Sequence, residues 1–448
     1  MSHQRHRAIQ YLQEFSIPLI AGVVAALAFA NLAPETYHYL LGAGHGEGVW
    51  ELPGHFSIFG HHLTLSFLVN DVFMVFFFAI AAKEITEAAL PGGSLNPLRK
   101  AVNPLFATLG GVVGPIIVFF ASVQIAASMG IYDRASELWP SVQRGWGIPT
   151  ATDIALAWLV ARTVFGGHHP AVNFLLLLAV ADDALGLGII AIFYGDPAHP
   201  AEPAWLALVG VGVAFAYLMR ARNVTAWWPY IFVAGPFAWC GLVLAHLHPA
   251  LALVPIVPFM PGPRRDTGLF FSEDEVDIMG EETARDLHLS HSTLERFEHA
   301  VEVPVDLGLF FFALANAGVR LEGVGAMTWI VLASLVIGKT VGVFAMSKFG
   351  SKLGFGLPRG MSTTDLFMAG MVAGLGLTVA LFVSSAAFSP PPGHPQAAQI
   401  LELQAQAKMG ALLSAGVGVA AIVIGRMLKL QEGGRHEQEE HKEVRKVA

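Results

Sequence analysis

NFLLLLAVADDALGLGIIAIFY, residues 173–194, decides the class of this protein. As one α-helix it reaches about 33 Å, enough to cross a hydrocarbon core of about 30 Å. Two adjacent carboxylates, Asp182 and Asp183, stand in its middle with apolar residues on both sides. A carboxylate at the centre of a bilayer costs roughly 2.5–3.5 kcal/mol on insertion scales, so such a residue is a functional candidate by default.

The rest of the chain carries the same signature. Its 448 residues are 54% hydrophobic and 13% charged, about half the charged fraction of a soluble protein. The apolar residues fall in blocks of about 20. About twelve spans follow, near 12–33, 63–86, 103–126, 147–164, 171–194, 204–221, 226–246, 248–261, 303–319, 326–346, 363–388 and 404–428. The fold class is therefore an all-α polytopic membrane protein, with one transmembrane domain over 1–430 and a charged tail over 431–448. The run Ile17–Ala33, preceded by Arg5 and Arg7, imitates a signal peptide; its length and the hydrophobic chain after it favour an uncleaved first span.

Lysine and arginine in the loops orient these spans. With a cytoplasmic N-terminus and strict alternation, the inside receives Arg5, Arg7, Arg99, Lys100, Arg162, Arg220, Arg222, Arg264, Arg265, Arg285, Arg296, Lys348, Lys352 and Arg359. The outside receives only Arg134, Arg144 and Arg320. Both termini are thus expected in the cytoplasm. An external loop over 34–62, rich in Gly, His and aromatics, suits a short β-hairpin. An acidic cytoplasmic loop spans 262–299.

Several functions are excluded. A single cysteine, Cys240, rules out an intramolecular disulfide and a cysteine metal cluster. No basic stripe suggests a nucleic-acid partner, and no G-x-x-x-x-G-K-[ST] loop suggests ATP. The partners expected are ions and the lipid bilayer, with no cofactor.

Charges inside the spans carry the function. Asp153, Asp182, Asp183 and Lys339 lie near mid-span, and Asp71, Lys83 and Glu84 lie in the second span. Adjacent helix residues point about 100° apart, so Asp182 and Asp183 cannot share one partner face. One can face an aqueous pathway while the other meets a cation. Lys339, in LVIGKTVG (335–342), is the only lysine near the centre of the later spans and the natural partner. An ion pair that merely fixes packing explains one aspartate, but neither the second nor Asp153.

The fourth span reads GWGIPTATDIALAWL (145–159). Pro149 lacks a backbone donor, and Gly145 and Gly147 weaken the helix before it. Thr150 to Asp153 then offer hydroxyls, free carbonyls and a carboxylate. The eleventh span has a similar interruption, Gly374-Leu375-Gly376-Leu377-Thr378. Each alone reads as close glycine packing; together they suggest an ion site. Oxygen ligands suit hard cations, and protons compete for the same carboxylates.

GWGIPTATDIA, FLLLLAVADDALG, LFFFALANAGV, VIGKTVG and GLGLTVALFVSSAAF follow one another in the order and spacing of the NhaA-type sodium/proton antiporters, which this chain resembles from about residue 12 to 428. The resemblance implies two inverted repeats, spans 3–5 and 10–12, with interrupted helices 4 and 11. It implies Na+ (or Li+) exchanged for H+ in the bacterial inner membrane, and a homodimer formed through the first external loop. Asp183 is then the principal cation and proton carboxylate, and Asp182 the partner of Lys339. Thr152 and Asp153 lie beside the site, with Asp183, Asp182 and Thr152 as sodium ligands. Asp153 offsets helix N-termini and Lys339 helix C-termini. The second span departs from the family's G-L-E-V-K-R-E. It reads Ala81-Ala82-Lys83-Glu84-Ile85-Thr86-Glu87, with Lys83 for a glutamate and Thr86 for an arginine.

Two other functions remain to be weighed. A sodium-coupled symporter of an organic anion needs anion-binding groups, whereas this site is net acidic. An intramembrane aspartyl protease needs two carboxylates on different helices, usually with a G-x-G-D turn; here Gly374-Leu375-Gly376-Leu377 leads to Thr378.

Overall fold

A computed structural model describes residues 16–41, 57–58, 61–90, 95, 98–167, 169–195, 199–262, 292–391, 393–428 and 430. Apart from the short helix Pro34–Leu41 at the start of the external loop, the helices in chain order are α1 (Ile17–Leu32), α2 (Leu65–Ala89), α3 (Leu98–Ser128), α4 (Trp139–Thr150), α5 (Ile154–Phe165), α6 (Pro170–Phe193) and α7 (Pro203–Ala221). They continue with α8 (Tyr230–Leu244), α9 (Thr293–Asn316), α10 (Ala326–Lys352), α11 (Thr363–Ala373), α12 (Thr378–Ala387) and α13 (Ala397–Met427). Among the described residues, 6 helices are long and apolar enough to cross a membrane, and up to 8 if each bent pair is one span. The pairs are α4 with α5 and α11 with α12, each bent by 47°. The protein is a helical, multi-pass membrane protein.

One expected span differs. Residues 248–261 form two 3-10 turns, Pro249–Leu251 and Val257–Phe259, joined by further turns. Pro249, Pro255 and Pro258 each lack an N–H, so a continuous α-helical ladder cannot form there. The ninth span is longer than its apolar stretch, because Ser292 and Glu295 start α9 early. Ser292 N–H donates to Glu295 Oε2 at 2.8 Å, and Glu295 N–H donates to Ser292 Oγ at 3.2 Å, a reciprocal cap. Residues 263–291 of the acidic loop lie outside the described residues, as do 42–56 of the external loop and the tail from 431. Within the external loop, strands β1 (Ser57–Ile58) and β2 (His61–His62) pair antiparallel, Ser57 with His62 and Ile58 with His61.

The chain divides into two compact units. The first comprises Met1–Ala33, Val102–Ile189 and Asn316–Ala448, and so gathers the spans the resemblance assigns to the two repeats. Within it, Gly110 and Gly114 of α3 meet Gly342 and Gly338 of α10 backbone to backbone; a Cβ at Gly110 would collide with the Gly342 carbonyl. Asn103 reinforces this pair. Its amide donates to the Ser347 and Phe355 carbonyls at 3.1 and 2.6 Å and to Ser351 Oγ at 3.1 Å, while Ser347 Oγ donates to Asn103 Oδ1 at 2.6 Å.

The second unit comprises Pro34–Ala101 and Ile190–Ala315. Here α2 contains a π-helical turn, Leu68–Phe73, that includes Asp71. Trp239 Nε1 donates to the Asp71 carbonyl at 2.9 Å. Phe73 fills the space over Gly308 of α9, where any Cβ would strike its ring.

Candidate ion site at two broken helices

The breaks are built from local chemistry. Helix α4 tightens into a 3-10 stretch over Gly145–Thr150, with Pro149 inside it. The Thr150 hydroxyl donates to the Gly147 carbonyl at 2.7 Å. Residues 151–153 are then non-helical, and Asp153 is the N-cap of α5, its Oδ1 accepting from Leu156 N–H at 3.1 Å. In the second break, Gly374 caps the end of α11 and Thr378 begins α12.

The two breaks bind each other within the first unit. Asp153 N–H donates to the Leu375 carbonyl at 2.7 Å. Thr378 N–H donates to Asp153 Oδ2 at 3.2 Å. One carboxylate therefore accepts hydrogen bonds from the N-terminal turns of both α5 and α12, where two positive helix-dipole ends meet. Gly376 is required by the approach: an added Cβ would lie 3.1 Å from the Ala151 carbonyl oxygen and 2.6 Å from Leu335 Cδ2. Gly376 N–H reaches Ser414 Oγ of α13 at 3.4 Å.

A buried cation lies beside the break that follows α4. Lys339 follows a π-helical turn, Ser334–Gly338, in α10, and its side chain is wholly buried. Its ammonium donates to Thr152 Oγ1 at 2.6 Å and to Asp182 Oδ2. Thr152 Oγ1 lies 2.8 Å from Asp182 Oδ2 and 3.0 Å from the carbonyl of Ala373, the last residue of α11. Thr152 thus links the ammonium to the negative end of that half-helix. A hydroxyl has one proton, so Thr152 donates to one of those oxygens at a time.

Asp182 uses only one oxygen in this network. Its Oδ1 is buried with no hydrogen-bond partner among the described residues. Asp183 is also buried, and it stands close enough to Lys339 for their charges to interact. With all groups ionised, Asp153, Asp182 and Asp183 face one ammonium. Hard oxygen donors in net excess of negative charge suit an alkali cation or protons as cargo.

Of the residues singled out in the sequence, Thr152, Asp153, Asp182, Lys339, Gly376 and Thr378 are joined by these contacts, and Asp183 is next to Asp182. Pro149 and Gly374 shape the ends of α4 and α11. Two features were not read from the sequence. Lys408 of α13 is a second buried lysine in this unit. It stood near the edge of the apolar block 404–428, but α13 begins at Ala397, which carries Lys408 well inside the helix. In the other unit, Lys83 is buried and paired with Glu87 at 2.8 Å and with Glu298 at 2.6 Å. The (i, i+4) spacing foretells the first partner; the second lies 215 residues away.

The family described as Na+/H+ antiporter 1 matches residues 7–428. A Na(+)/H(+) antiporter NhaA of Geobacter sulfurreducens is 54% identical over 425 residues, covering 95% of this chain and 99% of that protein. One of Desulfitobacterium hafniense is 50% identical over 432 residues, 96% of this chain and 98% of that protein. A more distant relative of the same name, from a Jannaschia species, is 42% identical over 456 residues, 95% of this chain and 99% of that protein.

Proposed function

The chain belongs to the Na+/H+ antiporter 1 family, and on that premise we propose that it exchanges Na+ (or Li+) for H+ by competition at Asp182 and Asp183. The observation that carries the reading is the buried, unpartnered Asp182 Oδ1 beside a second buried carboxylate at the meeting of two broken helices. A desolvated carboxylate oxygen without a donor is costly. A dehydrated cation or a proton supplies the missing partner, and the two cannot occupy the same oxygens together. Asp183 and Asp182, with the Thr152 hydroxyl, are the sodium ligands in this reading.

Asp153 and Lys339 have a different task. They neutralise the ends of the four half-helices, so that the backbone at the breaks is stable without the cargo. Access alternates between the two membrane faces while this network holds the cargo site at mid-span. From its family we place the protein in the bacterial inner membrane, and from the charge bias of the loops both termini in the cytoplasm.

Two protons leave for each sodium, one from Asp183 and one from the Asp182–Lys339 pair. Each cycle then moves one net charge, worth about 2.3 kcal/mol per 100 mV. The protein acts as a homodimer through the 34–62 loop; deleting that loop leaves monomers in detergent that retain transport, whereas an unchanged dimer would put the interface elsewhere.

The decisive test is the ΔpH of everted vesicles on adding sodium. Exchange collapses the gradient on addition of NaCl alone. A response that requires an added organic anion would support symport instead. Proteoliposome currents with the potential clamped by valinomycin test the stoichiometry; exchange without current would make Lys339 purely structural.

A further inference from the structure

The corner between α10 and α11 carries charge of one sign. From Gly323 to Thr364 the chain holds Lys339, Lys348, Lys352 and Arg359, and no aspartate or glutamate. Lys339 serves the site described above. The other three make no ion pair among the described residues. Asp365, the first carboxylate after them, is already engaged. Its Oδ2 accepts from Ser362 N–H at 2.7 Å and lies 4.0 Å from His169 Nε2.

Lys348 is seated on the seam between the two helices. Its ammonium donates to Thr363 Oγ1, in the first turn of α11, at 2.6 Å, and it lies 5.9 Å over the ring of Phe344. Phe344 meets Phe367 of α11 edge to face, with ring centroids 6.2 Å apart, and Phe367 is exposed. Lys352 follows Lys348 by one turn on the same face of α10. Arg359 stands four residues before Thr363, so at most about 14 Å separates their Cα atoms. Both Lys352 and Arg359 are exposed.

An apolar ridge of α10 runs up to these charges. Ile337, Val341, Ala345, Phe349 and Leu353 succeed one another at intervals of four residues, and all are exposed. In a membrane protein such a ridge faces acyl chains. The charge bias of the loops accounts for basic residues at this end of the helices. It does not account for an ammonium held by a hydroxyl and an aromatic ring at the head of a lipid-facing ridge, with no carboxylate to meet it.

We propose that the seam between α10 and α11 binds an anionic phospholipid, with its phosphate at Lys348 and within reach of Lys352 and Arg359, and an acyl chain along the ridge and Phe367. A phosphodiester supplies the missing anion, and the acyl chain covers the apolar surface; a soluble phosphate supplies only the first. With the termini placed as above, the lipid belongs to the cytoplasmic leaflet. Each basic residue near a membrane surface strengthens anionic-lipid binding by about fivefold.

Native mass spectrometry of the full chain in detergent reads the affinity of the first lipid bound. The titrants are phosphatidylglycerol and, separately, phosphatidylcholine with the same acyl chains. The native protein is expected to prefer phosphatidylglycerol. K348Q, K352Q and R359Q should each weaken that lipid by about fivefold and leave phosphatidylcholine unchanged. T363E keeps every lysine but sets a carboxylate against Lys348, and it should act like K348Q; should K348Q not fold, T363E decides. Equal affinity of the native protein for both lipids would overturn the proposal, as would an unchanged phosphatidylglycerol affinity in K348Q or T363E. The same loss in R222Q, an exposed arginine of α7 outside this corner, would overturn it too, because the attraction would then belong to the surface charge as a whole. Displacement of phosphatidylglycerol by soluble glycerol phosphate would make the ligand a free phosphate and refute the lipid assignment.

Discussion

Asp153 and Thr378 are 225 residues apart in sequence, and the Thr378 N–H donates to Asp153 Oδ2 at 3.2 Å. Because the other oxygen of Asp153 already caps α5, this contact makes one carboxylate the acceptor for the first turns of two half-helices from different parts of the chain. The breaks are therefore one structure, and they stand or fall together.

Asp153→Asn keeps the shape but offers a single acceptor oxygen and no charge to two backbone donors. We expect a loss of about 1–3 kcal/mol of stability and slower exchange. Thermal unfolding of the purified variant in detergent measures the first effect. A melting temperature equal to that of the native protein would show that the two helix ends do not depend on this carboxylate.

Lys339→Gln leaves Asp182 as a buried charge without its ion-pair partner, which costs about 3–5 kcal/mol. Asp182→Asn in the same background removes the orphaned charge. The double variant should therefore be more stable than Lys339→Gln alone, although it cannot run the two-proton cycle. The comparison is a double-mutant cycle on thermal unfolding; additive losses would mean that the two side chains are not coupled.

Asp183→Asn is expected to abolish exchange while leaving insertion and folding intact. The amide matches the carboxylate in size but neither carries the proton nor supplies charge to the cargo. Sodium-dependent ΔpH in everted vesicles provides the measurement, and a normal response from this variant would remove Asp183 from the site.

Gly376→Ala places a Cβ against the Ala151 carbonyl and the Leu335 side chain. Leucine can swing aside, but the carbonyl belongs to the facing break and cannot. Overpacking of this kind costs about 1–3 kcal/mol, and the larger consequence is a displaced Asp153. Expression with a lowered melting temperature and reduced exchange is the expected result; native behaviour would mean that the breaks have slack.

What could be read from the chain alone was whatever depends on local composition. A run of apolar residues long enough to span a membrane is visible in residues 173–194 without any partner. Charges placed inside such runs announce Asp182, Asp183, Asp153 and Lys339, because the bilayer penalises each of them wherever the helices pack. Pro149 and the glycines at 374 and 376 mark the breaks, since they act on their own backbone. Pro249, Pro255 and Pro258 likewise foretold trouble in the eighth span, although its apolar length still suggested a helix.

The tertiary structure decided everything that joins distant segments. It put Asp182 in direct contact with Lys339, a pairing that the family resemblance implied but that the residues by themselves left open, and it set Thr152 between them and the end of α11. It paired Lys83 with Glu298, and it buried Lys408 with no partner among the described residues. The physical reason is the same in each case. Hydropathy and backbone preference belong to a residue and its neighbours in sequence, but the partner of a buried charge is chosen by which helices pack together, and no local pattern in the chain records that choice.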